Sequence, residues 1–122
     1  MSDEIKQGFA TRSIHAGASP DPTTGARSVP INQATAFVFK DADHAAALFG
    51  LEESGFIYSR LTNPTVSAFQ ERVASLEGGV GATCTASGHS AQLLALFAVM
   101  ESGDEFVSSN KLYGGSITQF GH

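Results

Sequence analysis

Residues 90–100 (SAQLLALFAVM) constrain the fold more than any other segment, because they are apolar on nearly every side. A helix of this kind has to be buried over most of its surface. It lies between two short β-tolerant runs, residues 80–86 (VGATCTA) and 105–108 (EFVS), and residues 110–116 (NKLYGGS) form a loop that begins another helix. The order strand, helix, strand predicts part of an α/β fold, in which a right-handed helical crossover joins parallel strands.

Two strands do not complete such a sheet, and the apolar helix would have little to pack against in a chain of 122 residues. We therefore expect the chain to be an N-terminal fragment of a larger protein. An independent interaction module that kept this part of the fold and lost catalysis is the alternative, and cooperative unfolding of the isolated chain would distinguish it.

Two further helices are predicted upstream of these runs. Residues 41–51 (DADHAAALFGL) are rich in alanine and open with Asp41, which is suited to cap exposed amides. A second helix begins after Asn63 as its cap, with a proline in the first turn, and stops at Gly78. Its large apolar residues are spaced by 3, 4 and 3, at Val66, Phe69, Val73 and Leu76.

Residues 1–36 have neither helical nor strand periodicity and hold three of the four prolines. Loops of this length inside one compact domain are usually functional or packed on something else. We therefore predict an arm that lies on a partner subunit. With the short helix it makes up a first segment, residues 1–62, and residues 63–122 begin an incomplete α/β domain.

Composition narrows the class of protein. Seven Lys and Arg residues against twelve Asp and Glu give a formal charge of −5, which argues against nucleic acid or an anionic membrane as partner. No apolar run approaches the length of a membrane span. A single cysteine, Cys84, precludes an internal disulfide and points to a reducing, cytoplasmic location.

The strongest candidate site lies at residues 87–89 (SGH), between a predicted strand and a predicted helix. The first amides of that helix are unpaired and carry the positive end of its dipole. The amides of Gly88 and His89 can therefore bind a phosphate, although a plain strand-to-helix turn would have the same sequence.

Two tyrosine motifs complete the candidates. Tyr58 and Arg60 are two residues apart, so in an extended segment both side chains project to one side and could clamp a phosphate. Tyr113, before two glycines, could present its ring to a flat ligand. The alternatives are a surface salt bridge for Arg60 and a core tyrosine before a turn for Tyr113.

Other chemistries find less support in the sequence. Residues 78–81 (GGVG) precede the predicted strand, whereas a dinucleotide-binding loop follows one. The four histidines and Cys84 have no metal-ligand spacing, and Cys84 has the setting of a buried inert thiol. The lysines Lys6, Lys40 and Lys111 lie in polar or loop contexts and are predicted to be solvated.

Several motifs follow one another along the chain: residues 11–17 (TRSIHAG), 30–33 (PINQ), 58–60 (YSR) with 63–65 (NPT), 76–79 (LEGG), 86–88 (ASG) and 112–115 (LYGG). Taken together, they resemble the pyridoxal-phosphate enzymes of cysteine and methionine metabolism over roughly residues 10–120. Residues 36–41 (AFVFKD), 47–49 (ALF) and 87–92 (SGHSAQ) are most similar to the O-acetylhomoserine sulfhydrylases within that family.

The resemblance implies an aminotransferase-like, fold-type I enzyme with pyridoxal 5'-phosphate as cofactor. It implies that the amides of Gly88 and His89 hold the cofactor phosphate, and that Tyr58 and Arg60 reach it from a neighbouring subunit of at least a dimer, usually a tetramer. Tyr113 would stack on the pyridine ring and act as the catalytic acid/base group. The implied reaction is γ-replacement, which makes homocysteine from O-acetylhomoserine and sulfide.

The family's Schiff-base lysine, the aspartate facing the pyridine nitrogen and the arginine for the substrate carboxylate belong to regions beyond residue 122. We therefore expect the chain alone to be inactive. Cystathionine γ-synthase, cystathionine γ-lyase and methionine γ-lyase share the same cofactor motifs and stay open as alternatives, including γ-elimination in place of γ-replacement.

Overall fold

The computed structural model describes residues 7–121, in which five helices form two compact units. The first unit is Met1–Thr83 and the second is Cys84–His122. Helices α1 (Phe9–His15), α2 (Ala42–Phe49) and α3 (Pro64–Glu77) belong to the first unit. Helices α4 (Gly88–Phe97) and α5 (Gly114–Phe120) belong to the second.

Helix α1 corrects the prediction that the arm is free of regular structure. It was missed because it is only seven residues long and has no side-chain cap at Gly8. Hydrogen bonds to α3 hold it in place: Arg12 Nη1 donates to the Ser75 carbonyl, and Arg72 Nε donates to the Ala16 carbonyl at 2.9 Å. Residues 1–6 of the predicted arm lie outside the described residues.

Helices α2 and α3 begin at the predicted caps. Asp41 accepts a hydrogen bond from the His44 amide at 2.8 Å, and Asn63 accepts one from the Thr65 amide at 2.9 Å. Pro64 occupies the first turn of α3, where a missing N–H costs nothing, and Gly78 ends the helix in the left-handed conformation at φ 71°.

The buried face of α3 differs from the predicted one. Ala68 and Ala74 are buried, whereas Val66 and Phe69 are 41% and 60% exposed. Small residues face α1 because the chain after α1 approaches α3 closely. At Gly17, which has φ +70°, an added Cβ would collide with the Ala68 carbonyl oxygen.

The two predicted strands, residues 80–86 and 105–108, are not paired as strands within residues 7–121. Their β-tolerant residues permit an extended backbone, but a strand also needs a neighbour to complete its hydrogen-bond ladder. Strand-like pairing in the described residues is limited to an antiparallel bridge between Ala36 and Tyr58.

The second unit consists of α4 and α5 with their connections. Gln92 of α4 and the buried Ser116 of α5 exchange hydrogen bonds of 2.9 and 3.1 Å. Phe106 packs edge-to-face on Phe120 with ring centroids 5.2 Å apart. Within the described residues the apolar helix has little to pack against, as expected for a chain of this length: Leu93 and Phe97 are 41% and 73% exposed.

No helix among residues 7–121 is both long and apolar enough to cross a membrane.

Candidate functional site

The N-terminus of α4 carries the two amides that the sequence singled out. Ser87 caps the helix: its hydroxyl accepts a hydrogen bond from the Ser90 amide at 3.2 Å, and its carbonyl accepts the first helical bond, from Ala91, at 3.0 Å. The amides of Gly88 and His89 have no acceptor among residues 7–121. They are therefore available to an anion, at the positive end of the helix dipole.

The main chain at Gly88 is not packed against the rest of the described chain. A Cβ added at Gly88 would have no heavy atom within 4 Å, so no side chain covers the residue on that side. Thr85 stabilises the turn before the helix, since its hydroxyl donates to the Ser87 carbonyl at 2.8 Å. This geometry is that of helix termini which bind phosphate through backbone N–H groups.

Tyr113 lies beside this terminus in the same unit. Its ring centroid is 5.8 Å from that of His89, with the two ring planes inclined by 33°. Tyr113 directly precedes α5 and is 76% exposed, so it is not a core tyrosine. An exposed phenol beside two free amides can meet a ligand that carries both an aromatic ring and a phosphate.

Tyr58 and Arg60 lie close together in the first unit, but in a turn rather than in the extended segment on which the prediction from their spacing rested. The Tyr58 carbonyl accepts hydrogen bonds from the Leu61 and Thr62 amides at 2.9 and 3.1 Å, so the chain turns directly after Tyr58. The Arg60 guanidinium carbon is 5.7 Å from the centroid of the Tyr58 ring, a cation–π distance. Arg60 forms no salt bridge with a carboxylate of residues 7–121. The surface salt bridge considered as the alternative is therefore absent from the described part of the chain, and the donors of Arg60 face solvent.

The sequence interpretation assigned Asn63 only a capping role, but this residue also positions the segment that carries Tyr58 and Arg60. It is 7% exposed, and its Nδ2 donates to the Asn32 carbonyl and to the Ser59 hydroxyl, both at 3.0 Å. The Ser59 hydroxyl in turn donates to the Ala34 carbonyl. Sequence spacing gave no signal for these bonds because Asn32 lies 31 residues before Asn63.

Thr65 ties the same two regions together. Its hydroxyl donates to the Pro30 carbonyl at 2.9 Å and accepts from the Asn32 amide at 2.9 Å. The motifs at residues 30–33 and 63–65, which stand 30 residues apart in sequence, thus form one polar cluster. Backbone bonds from Ser59 to Thr35 and from Phe37 to Ile57 complete it.

Three residues considered for other chemistry have unremarkable settings. Cys84 is half-buried, and Lys40 and Lys111 are exposed, as predicted for solvated lysines. Lys6 lies outside the described residues. Among residues 7–121, no group of three His, Cys, Asp or Glu side chains is arranged to hold a metal ion.

The predicted site residues therefore fall into two groups. Gly88, His89 and Tyr113 lie together in the second unit, and Tyr58 and Arg60 lie together in the first. The second group, free amides beside an exposed aromatic ring, is typical of the class of proteins that bind a phosphate at a helix N-terminus.

Comparison with known proteins identifies the family within this class. The profile described as Cys/Met metabolism PLP-dependent enzyme matches residues 10–122. The chain belongs to this family, which confirms the resemblance seen in its motifs.

Two similar proteins are O-acetyl-L-homoserine sulfhydrylases. The chain is 58% identical over 106 residues to O-acetyl-L-homoserine sulfhydrylase of Leptospira meyeri, covering 87% of this chain and 24% of the relative. It is 54% identical over 112 residues to O-acetyl-L-homoserine sulfhydrylase 1 of Thermus thermophilus, covering 92% and 27%. The chain thus spans about a quarter of the length of these relatives.

Solved structures of the family also match. A putative O-acetylhomoserine (thiol)-lyase from Campylobacter jejuni, which contains N'-pyridoxyl-lysine-5'-monophosphate, is 43% identical and superposes with a TM-score of 0.87 over 95% of this chain and 28% of that one. Cystathionine gamma lyase from Micromonospora echinospora is 30% identical, with a TM-score of 0.78 over 94% and 28%. The chain therefore has the fold of this part of the family's fold-type I enzymes.

Proposed function

We propose that this chain is the N-terminal part of an enzyme that uses pyridoxal 5'-phosphate to make homocysteine from O-acetylhomoserine and sulfide. The observation that carries the proposal is the pair of free amides at Gly88 and His89, with Tyr113 beside them, in a chain of a PLP-dependent family. The named sulfhydrylases, at 54% and 58% identity, support the choice of reaction within the family.

The cofactor phosphate would be held by the α4 terminus. Two backbone N–H groups and the helix dipole stabilise a dianion without any side chain. In a chain with a formal charge of −5, further positive charge has to be supplied locally.

Arg60 would supply that charge from a second copy of the chain, with Tyr58 beside it. Arginine offers paired N–H donors that match phosphate oxygens, and the phenol adds a neutral hydrogen bond. The unpaired guanidinium of Arg60 and the rigid polar cluster behind it support this role. The proposal therefore includes a homo-oligomer whose sites are shared between subunits.

Tyr113 would contribute both its ring and its hydroxyl. The exposed ring offers a platform for a pyridine ring, and the Oη atom can accept and return a proton near the substrate. When bound, the cofactor supplies the electron sink for removal of the substrate's α- and β-protons. Over the reaction the Cγ–O bond to acetate breaks and a Cγ–S bond to sulfide forms.

The proposal extends to the fold of the whole protein. Residues 1–62 would contact a partner subunit, and residues 63–122 would begin the cofactor domain, whose parallel sheet pairs residues 80–86 and 105–108 with further strands. The order of elements around α4 supports this arrangement, since a helix between two extended segments is typical of such a sheet.

An assay of the complete gene product that contains this chain tests the proposal. The purified protein would be given O-acetylhomoserine, O-succinylhomoserine or cystathionine, each with and without sulfide. We expect homocysteine from O-acetylhomoserine with sulfide, and a Tyr113→Phe variant with lower kcat. Cleavage of cystathionine without sulfide would contradict the proposed reaction and indicate a γ-lyase.

A further inference from the structure

A tight cluster of two rings and a glycine lies at the contact of α4 and α5. The rings of His89 and Tyr113 are 5.8 Å apart between centroids. A Cβ added at Gly115 would lie 2.7 Å from Cε1 and from Nε2 of His89, and 2.7 Å from Cε1 of Tyr113. Such separations do not occur between real carbon atoms, so both rings occupy the space that a side chain at residue 115 would need.

The lack of space for a side chain explains why residue 115 is a glycine, although glycine is unfavourable in a helix. Gly115 lies in the first turn of α5, and glycine forms helix less favourably than alanine. Its backbone is helical, so no left-handed conformation requires glycine there. The neighbouring Gly114 provides a contrast, because a Cβ at that residue would have no heavy atom within 4 Å.

Hydrogen bonds fix the two helices on which the rings sit. Gln119 Nε2 of α5 donates to the His89 carbonyl at 3.0 Å. Ser116 of α5, 2% exposed, is bonded to Gln92 of α4. The relative placement of the two rings is therefore set by the packing of α4 on α5.

We propose that the His89 side chain is a positioning residue for Tyr113, and that Gly115 keeps the space in which the two rings pack. The imidazole then acts separately from the His89 amide: the amide faces the anion, and the ring supports the phenol. That Tyr113 in turn supports a cofactor ring rests on the proposed function.

The test compares two ligands in the complete gene product. Inorganic phosphate probes the amides alone, and 4'-deoxypyridoxine phosphate probes the amides and the aromatic platform without an aldehyde that could react with a lysine. Because Gly115→Ala would displace two ring ends rather than backbone, we expect it to weaken the ring-bearing ligand about threefold to tenfold and to leave phosphate affinity unchanged. Gly114→Ala, the matched control, should change neither.

Variants of His89 separate positioning from a general loss of structure. We expect His89→Ala to weaken the ring-bearing ligand, and His89→Phe, which restores a ring, to recover its affinity. The double variant His89→Ala/Gly115→Ala should lose less affinity than the sum of the two single losses, because removal of the imidazole relieves the contact with His89 and leaves only that with Tyr113.

Several results would overturn the inference. These are equal affinities of Gly115→Ala and Gly114→Ala, additive losses in the double variant, no recovery with phenylalanine, or an equal loss of both ligands. If the wild-type protein binds phosphate but not the ring-bearing ligand, the proposed cofactor fails and the inference fails with it. If the wild type binds both, the variants decide the inference alone.

Discussion

The two units hold their predicted site residues by different means. In the first unit, hydrogen bonds of the buried Asn63 and of the Thr65 and Ser59 hydroxyls join residues 30–34 to residues 58–65. Tyr58 and Arg60 lie in the second of these segments. Among the described residues, the buried hydrophobic side chains also belong to this unit, namely Leu48, Ala68 and Ala74. The second unit places Gly88, His89 and Tyr113 through a helix cap and one helix–helix contact.

The difference matches what each group has to do in the proposed enzyme. A clamp that reaches a ligand from another subunit has to be held firmly by its own subunit, because each side chain free to move adds an entropic cost to binding. A helix terminus binds through its own backbone, which the helix already orders. We therefore expect hydrogen bonds between distant segments to contribute more to the placement of the site residues in the first unit. Helix caps and ring packing should contribute more in the second unit.

The largest expected effect concerns the close packing in the first unit. Gly17→Ala places a Cβ against the Ala68 carbonyl in a left-handed backbone, and we expect a loss of about 3 kcal/mol in the stability of the α1–α3 contact. Gly25→Ala is the matched control, since Gly25 has φ +72° and open space, and should cost about 1 kcal/mol. Native-state hydrogen exchange at the α1 amides would measure both. Equal losses would mean that α3 does not approach Gly17 closely.

A smaller loss is expected from the polar cluster. Asn63→Ala removes the α3 cap, leaves the Asn32 carbonyl without its donor and removes the hydrogen bond to the Ser59 hydroxyl, and we expect a loss of about 2 kcal/mol in stability. Asn63→Asp separates the two roles, because a carboxylate still caps the helix but cannot donate. We expect Asp to preserve exchange protection at the Thr65 amide and to lose it at the Ser59 amide. Loss at both amides would show that capping and positioning are not separable.

The clamp itself is tested by Arg60→Ala in the complete protein. A charge-assisted hydrogen bond contributes about 1.5 to 3 kcal/mol, so we expect phosphate affinity to fall about tenfold to a hundredfold. The loss should shrink as salt concentration rises, because salt screens an exposed pair. Arg27→Ala, another exposed arginine, is the control. An equal fall with Arg27→Ala would indicate a general charge effect and remove Arg60 from the site.

The corresponding change in the second unit is Ser87→Ala. Loss of this cap should cost about 1 kcal/mol in protection of the Ser90 amide, whereas Ser87→Gly should cost only a few tenths. The measurement is again hydrogen exchange. An alanine variant as well protected as the wild type would mean that ring packing, not the cap, holds the start of α4.

Local signals in the sequence predicted most of the helices. Asp41, Asn63 and Gly78 mark helix boundaries because capping depends on residues within one turn. Helix α1 was missed because hydrogen bonds from Arg12 and Arg72, 56 or more residues away from their acceptors, hold it in place. No local pattern carries that information.

The candidate site divides in the same way. The sequence predicted the proximity of Tyr58 and Arg60, although a turn and not an extended segment produces it. The position of Ser87 predicted free amides at Gly88 and His89. The donor role of Asn63 and the ring contact at Gly115 depend on which segments meet in space, and the sequence did not predict either. Residues 80–86 and 105–108 also need neighbouring strands before they can pair, and local β-propensity does not identify those neighbours.

The smallest effect is expected at Asp21 in the first unit. Its turn is formed by hydrogen bonds between residues close in sequence, as is the helix cap of the second unit. Hydrogen bonds from the Thr24 amide, the Thr24 hydroxyl and the Thr23 amide lower the pKa of Asp21. Because the pKa of Asp21 is lower in the folded chain, the ionised carboxylate stabilises the turn at pH values above the ordinary aspartate pKa. This stabilisation is lost as the pH falls through the lowered pKa. Amide chemical shifts of Thr23 and Thr24, followed by NMR through acid titration, should therefore change only below the ordinary aspartate pKa. In Asp21→Asn they should not titrate at all. A titration midpoint at the ordinary aspartate pKa would contradict the hydrogen bonds of this turn. It would also contradict the interpretation that hydrogen bonds between residues close in sequence stabilise part of the first unit.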